Sequence, residues 1–341
     1  MLKLRSILLV PGLFAVVAVA ACCVLPRSAS RHWCQLLERP DLLLLAWASY
    51  TAGFWLRAAA WSLFATPSPG VARFFHYHMV GLLANHLLPT KVGDALRVWL
   101  SRSHAASWRD AILTVTATRV MDVGALCLLL IVTGWSLVRD LPRLPLLAGL
   151  GGCLGLLCVA FLLNRSRRDA APLARQWRMR GGLLAPLPRD FTGRRVLWAS
   201  LLTIAGWVCE AAVISVVALG CGIPLTFREA VFLSALTVLG QVLPLTPGGV
   251  GTYEAALCLG FALLGHSVAV SLPIALLAHG WKFVYAYTMG ALSLWALFGR
   301  AKGRAALAEL PVLPRFNRVW LGRLASPLLN QLTKGVTATA P

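Results

Sequence analysis

The sequence predicts an all-α fold, a polytopic membrane helix bundle of about six full spans plus two re-entrant helix pairs arranged as an inverted repeat. Three observations predict it. Of the 341 residues 58 % are hydrophobic and only 13 % are charged, whereas a soluble domain carries about a quarter charged residues. Six segments are apolar over the roughly 20 residues that a bilayer core requires of a helix. Two further apolar stretches are too short to cross, and each runs through a proline into a glycine-bearing turn. The composition excludes an ordinary cytosolic enzyme, a disordered chain and a disulfide-stapled secreted module.

The elements follow in order. Residues 7–25, behind Lys3 and Arg5, form the first span. The same stretch resembles a signal sequence, with Val19-Ala20-Ala21-Cys22 near a lipoprotein cleavage pattern, but multispan proteins commonly begin with an uncleaved span. Residues 42–65 form the second span and carry Arg57. The short stretch 74–88 is the first re-entrant arm and enters Pro89-Thr90-Lys91-Val92-Gly93-Asp94. Residues 111–137, with Arg119 and Asp122, form the third span, and 144–163 the fourth, where Gly151 and Gly155 make a helix-packing GxxxG. Residues 196–219, with Glu210, form the fifth span. The short stretch 231–243 is the second arm and enters Pro244-Leu245-Thr246-Pro247-Gly248-Gly249-Val250-Gly251. Residues 268–298 are long for one span and contain Pro273, which predicts a kink or tilt. Irregular backbone at membrane depth survives only inside protein or against a wet cavity, so both turns belong in the interior.

The charge is lopsided, with 32 Lys+Arg against 12 Asp+Glu. The segment 164–195 holds nine Arg against Asp169 and Asp190, and the tail 299–341 holds seven basic residues against Glu309. Basic loops collect on the cytoplasmic side of membrane proteins. The excess therefore predicts topology rather than a nucleic-acid partner. It puts 164–195 and both termini in the cytoplasm and gives the two arm-and-turn units opposite orientations. Residues 1–298 thus read as one transmembrane domain, with 164–195 as a cytoplasmic basic loop and 299–341 as a basic cytoplasmic tail. Inverted repeats with broken helices facing each other at mid-membrane are a transporter architecture. The nine cysteines show no CxxC pair or zinc spacing, and His76, His78 and His86 lack a completing ligand, so neither a metal nor a cofactor is expected.

Asn85-His86-Leu87-Leu88-Pro89 followed by Gly93-Asp94 and Arg97, then Leu243-Pro244-Leu245-Thr246-Pro247-Gly248-Gly249-Val250-Gly251 with Glu254, resembles the lysylphosphatidylglycerol synthase transmembrane-region family of flippase-like membrane proteins. The resemblance runs from about residue 7 to 298. It implies an integral inner-membrane protein that moves or handles lipids; relatives are linked to aminoacylated phosphatidylglycerol, hopanoids and polyprenyl-linked sugars. The synthases of that family carry a large soluble aminoacyl-transfer domain after the membrane region. Residues 299–341 are too few for such a fold, so lysyl transfer is not expected of this chain.

Ionisable side chains inside a bilayer are costly and mark function or pairing. The inventory is Arg57, Lys91, Arg97, Arg119 and Lys282 against Asp94, Asp122, Glu210 and Glu254. Arg119 and Asp122, three apart, share a helix face. They either neutralise each other to hold the third span or set Arg119 on a lipid phosphate. Asp94 reads as an N-cap with Arg97 beside it, and Lys91 as a flexible cation on the turn. Glu254 suits the first turn of a helix. Gly248, Gly249 and Gly251 read either as a hinge or as an array of uncovered N–H groups that binds an anion. With Asn85, Gly93 and Gln241 these residues form the candidate head-group site: Asn85, Lys91, Gly93, Asp94, Arg97, Arg119, Asp122, Gln241, Gly248, Gly249, Gly251 and Glu254. Glu210, His279 and Lys282 are the candidates for ion or proton coupling.

The leading expectation is a protein that translocates or handles an anionic phospholipid, polyprenyl or hopanoid-type lipid across the inner membrane, not an enzyme. No nucleotide-binding motif is present. Two alternatives remain. One is a membrane-embedded transferase with a lipid-linked sugar donor, for which Asp94 and Glu254 are the candidate acidic pair. The other is an accessory subunit that partners a lipid-synthesis enzyme through the basic loop.

Overall fold

The computed structural model describes residues 38–65, 68–87, 92–105, 107–137, 192–241 and 246–299. Among these the chain is all helical, with eight α-helices, two 3-10 turns and no strand. The first half contains α1 (Pro40–Ser62), α2 (Val71–Leu87), α3 (Gly93–Ser101) and α4 (Trp108–Leu137), with a 3-10 turn at Arg102–His104. The second contains α5 (Gly193–Gly220), α6 (Phe227–Gly240), α7 (Thr252–Leu263) and α8 (Val268–Phe298), with a 3-10 turn at Pro247–Gly249. The spans expected at 7–25 and 144–163, Lys91, the Gly151/Gly155 pair, 164–191 and the tail beyond Gly299 lie outside the described residues.

Local chemistry sets the helix ends. Pro40 opens α1, where its missing N–H costs no helical bond. Thr226 and Glu229 form a reciprocal capping box at α6, with Glu229 N donating to Thr226 Oγ1 (3.3 Å) and Thr226 N to Glu229 Oε2 (2.7 Å). The arms start earlier than their apolar runs, at Val71 and Phe227. The polar first turns, with Arg73, Arg228 and Glu229, are helical without contributing hydropathy. Pro273 falls in the second turn of α8, and the helix continues through it.

Among the described residues three helices are long and apolar enough to cross a membrane: Trp108–Trp135 within α4, Gly193–Gly220 and Val268–Phe298. At 23 residues α1 is also long enough, and Arg57 tempers its hydropathy. Large apolar side chains such as Leu44, Val132, Leu197, Leu292 and Trp295 face outward, as lipid-facing positions do.

The extensive contact is between α1 and α5. They run antiparallel, because Arg195 at the start of α5 donates from Nη1 to the Leu63 carbonyl just past the end of α1 (3.3 Å). Their backbones touch at two glycines. A Cβ on Gly53 would lie 2.7 Å from the Gly206 carbonyl oxygen, and one on Gly206 would lie 2.8 Å from that of Gly53. Around this crossing, α2 packs on α8 and α6 on α4; α2 on α3 and α6 on α7; α3 on α4 and α7 on α8. Exchanging α1–α4 for α5–α8 maps these contacts onto one another. A stacked group of Tyr50, Phe54 and Tyr285 fills the core where α1 meets α8.

The Gly53–Gly206 crossing should tolerate no side chain. Gly53→Val or Gly206→Val should lower the melting temperature of the detergent-purified protein, since overpacking costs about 1–3 kcal/mol. Gly124→Val, where an added Cβ meets nothing within 4 Å, should melt within a degree or so of wild type, apart from the small helix-propensity difference. Equal melting of all three would remove the crossing as a constraint.

Candidate functional site

The interior ionisable residues form three connected groups around one cavity of about 390 Å³. The first joins α3, α4 and α5. Arg119 donates from Nε to both oxygens of Asp94 (2.9 and 3.0 Å) and from Nη2 to Oδ1 (2.6 Å), a forked pairing. Its Nη1 donates to Asp122 Oδ2 (3.0 Å), one turn along α4. Arg97 Nη1 donates to Asp94 Oδ1 (3.2 Å), and Trp207 Nε1 closes the group on Asp122 Oδ1 (3.0 Å).

Asp94 is therefore not the cap of α3 that its spacing suggests. The N-cap position is Val92, which makes no side-chain cap. Asn85 reaches across from α2 and accepts the Gly93 N–H, an orphan of the first turn, on Oδ1 (2.8 Å), while the Asp94 carboxylate meets Arg119 and Arg97. Gly93 holds the wall rather than lining the cavity. A Cβ there would collide with the Gly81 carbonyl and with Asn85 Oδ1.

The second group joins α1, α5 and α8. Glu210 accepts from Arg57 Nη2 on Oε2 (2.8 Å) and from Lys282 Nζ on Oε1 (3.3 Å). The Arg57 guanidinium carbon lies 4.2 Å from the Phe54 ring centroid and 4.1 Å from that of Trp207. These contacts fit a delocalised cation that pairs and stacks at once. Glu210 thus has the partner on Lys282 that its mid-span position calls for, and a second on Arg57.

The third group surrounds the glycine turn. Gly248, Gly249 and Gly251 all have positive φ, at 65°, 77° and 83°, which L side chains rarely adopt. Glu254 accepts the Gly251 N–H on Oε2 (2.7 Å), and its Oε1 lies 2.7 Å from His279 Nδ1. His279 Nε2 lies 3.1 Å from the Gly248 carbonyl. The Gly249 N–H donates to the Thr246 carbonyl (3.1 Å). Two of the turn's N–H groups are thus taken within the protein, that of Gly251 by the Glu254 carboxylate and that of Gly249 by the Thr246 carbonyl, contrary to an uncovered anion nest. Gln241 packs over Gly249, where a Cβ would collide with its amide.

The cavity brings together most of the expected residues: Asn85, Asp94, Arg97, Arg119, Asp122, Glu210, Gln241, Gly248, Gly249, His279 and Lys282. Gly93, Gly251 and Glu254 do not line it, and Lys91 lies outside the described residues. The structure adds Arg57, His78, His86, Trp207, Thr246 and Thr252 to the lining. Arg57 is the addition with a signal in the sequence, since it follows Gly53 by four residues as Glu210 follows Gly206. Four cationic side chains, Arg57, Arg97, Arg119 and Lys282, line the cavity against three carboxylates, Asp94, Asp122 and Glu210. Arg57 Nε, Arg97 Nε and Thr246 Oγ1 are buried with no hydrogen-bond partner among the described residues. No three histidine, cysteine or carboxylate side chains among those residues converge as a metal ion would require.

Residues 5–290 match the family model described as the lysylphosphatidylglycerol synthase TM region. No curated protein and no solved structure matches the chain.

The Arg57–Glu210 pair predicts a measurable coupling. Glu210→Gln should lower the detergent melting temperature strongly, because stripping one partner from a buried pair costs about 3–5 kcal/mol. The double variant Arg57→Met/Glu210→Gln should lose less than the two single losses combined. Additive losses would mean that the two side chains do not stabilise each other.

Proposed function

The chain belongs to the lysylphosphatidylglycerol synthase transmembrane-region family, a membrane and lipid-related family, and on that premise we propose that it carries an anionic lipid head group across the inner membrane through this cavity. The observation that carries the proposal is the excess of cationic lining, Arg57, Arg97, Arg119 and Lys282 against Asp94, Asp122 and Glu210. A phosphate would supply the counter-charge that the lining lacks. At about 390 Å³ the cavity suits a head group rather than two acyl chains, so the tails stay in the bilayer. Arg119, with its side chain 36 % exposed, is the cation best placed to meet an incoming phosphate.

Movement across the bilayer requires a site reachable from either side, and we take α1–α4 and α5–α8 as an inverted repeat. Four observations support this. The contacts exchange between halves. The helices α1 and α5 run antiparallel and cross at paired glycines. Arg57 and Glu210 pair from matching positions. Asp94 with Arg119 and Glu254 with His279 are each 25 residues apart. The short α2–α3 and α6–α7 pairs then act as re-entrant arms, and the basic segments 164–195 and 299–341 favour cytoplasmic termini. A carrier fits better than a transferase, because Asp94 is engaged by arginines and Glu254 by His279 and the turn. Asp94 lines the cavity and Glu254 does not, whereas an acid–base pair would present both to one substrate.

Two experiments test this function. In vesicles containing the purified protein, fluorescent phosphatidylglycerol should cross between leaflets faster than in protein-free vesicles. Arg119→Gln should slow it more than fluorescent phosphatidylcholine, and Arg119→Lys should recover part. Equal slowing of both lipids would remove the anionic preference. Single cysteines in a Cys-free background should be labelled from outside at position 222 and not at 175 or 318; external labelling at 175 would reverse the orientation.

A further inference from the structure

His279 sits mid-way along α8 and is fully buried. Its ring stacks on Tyr253, centroids 4.3 Å apart, and each ring nitrogen faces an acceptor, Glu254 Oε1 at 2.7 Å and the Gly248 carbonyl at 3.1 Å. Hydrogens can be counted around this arrangement. A carbonyl only accepts, so Nε2 must carry a hydrogen. The contact between Nδ1 and Oε1 needs a second, on the ring or on the acid. Imidazolium with carboxylate and imidazole with carboxylic acid contain the same protons, and both are neutral overall.

Removing one proton breaks this balance. If Nε2 keeps its hydrogen, the Nδ1 lone pair faces a carboxylate at 2.7 Å. If the tautomer shifts, the Nε2 lone pair faces the Gly248 carbonyl at 3.1 Å. Either way two lone pairs oppose each other and the pair gains a buried negative charge. One contact must open, and the contact to Gly248 holds the positive-φ turn that lines the cavity. The counterpart in the first half, Arg119 with Asp94 at the same separation of 25 residues, has a guanidinium that keeps its charge. One half is locked and the other can titrate.

We propose that the His279–Glu254 pair binds one exchangeable proton, and that its loss releases the Gly248 turn and couples lipid movement to a proton gradient. The proposal rests on the lipid-carrier function above. The proton leaves to water on one side and is replaced from water on the other, one per cycle. The groups around the ring are Glu254 and Tyr253 on α7, Lys282 on α8, His86 on α2 across Phe283, and beyond Lys282 the Glu210–Arg57 pair on α5 and α1. Glu210 is neutralised by its two cations, so the exchangeable proton sets the change in local charge.

Two measurements on the full chain test it. Infrared difference spectra of the purified protein between acid and alkaline pH should show one imidazole–carboxyl band pair that disappears in His279→Gln and again in Glu254→Gln. A spectrum unchanged in a folded variant overturns the proton site, whatever the lipid result. In vesicles loaded with a pH-sensitive dye, wild-type protein moving fluorescent phosphatidylglycerol should shift the lumenal pH. An imposed gradient of about one unit, which biases one proton about tenfold, should speed movement in one direction and slow it in the other. His279→Arg, a fixed cation like Arg119, should lose that dependence. Phosphatidylglycerol movement with no lumenal pH change and no gradient effect overturns the coupling and leaves the carrier function standing. A wild-type protein that moves no lipid fails the carrier function, and the coupling with it, while the infrared result still decides the proton site.

Discussion

An ionised side chain in an apolar bundle is tolerated only with its counter-charge beside it, and that constraint organises this molecule. Glu210 sits between Arg57 and Lys282, which ties α1, α5 and α8 together at one point. Arg57 reaches Glu210 because α1 and α5 approach to backbone contact at Gly53 and Gly206, four residues before each partner. The small residues and the ion pair are therefore one device. The glycines bring the helices close enough for a short pair, and the pair makes the close approach worth its lost side-chain packing. The aromatic faces of Phe54 and Trp207 complete the shell around the guanidinium.

The second consequence concerns what is left over. Within the lining the cations outnumber the carboxylates by one. A bundle built only for stability would gain by pairing or removing the surplus cation. On the proposed function the surplus is kept for a phosphate, which enters as the missing counter-charge and leaves at the same cost. The two proposed repeats then differ where a cycle needs them to differ. The Asp94–Arg119 group is fixed, and the Glu254–His279 group holds the glycine turn through a ring that can lose a proton.

The sequence makes the long helices legible because their apolar runs are continuous. The run at 268–298 coincides with α8 to the residue, and 111–137 and 196–219 fall short of α4 and α5 by three residues at the start, where Trp108 and Gly193 begin polar first turns. The arms are legible as short helices for the same reason. What spacing alone could not supply is partner choice across helices. Asp94 looks like a cap because it follows a glycine at a helix start, yet the helix already begins at Gly93, whose N–H goes to Asn85 eight residues earlier, and the Asp94 carboxylate goes to Arg119 on another helix. The glycine turn looks like an open anion site, yet Glu254, three residues past Gly251, takes one of its N–H groups and the Thr246 carbonyl takes another. Arg57 is visible as a costly charge, and only the helix crossing reveals which carboxylate it meets. Local rules predict local bonds, and the site is built from distant ones.

That the cavity between the two halves holds an anionic head group is tested most directly by photo-crosslinking. Phosphatidylglycerol bearing a photoreactive group on its head, in bilayers containing the purified protein, should leave adducts on peptides that carry the cavity wall, around Thr246 and Thr252 and around His78. Excess unlabelled phosphatidylglycerol should suppress them more than phosphatidylcholine does. Adducts confined to outward-facing peptides around Val132 and Leu292, or suppressed equally by both lipids, would contradict a head-group site in the cavity.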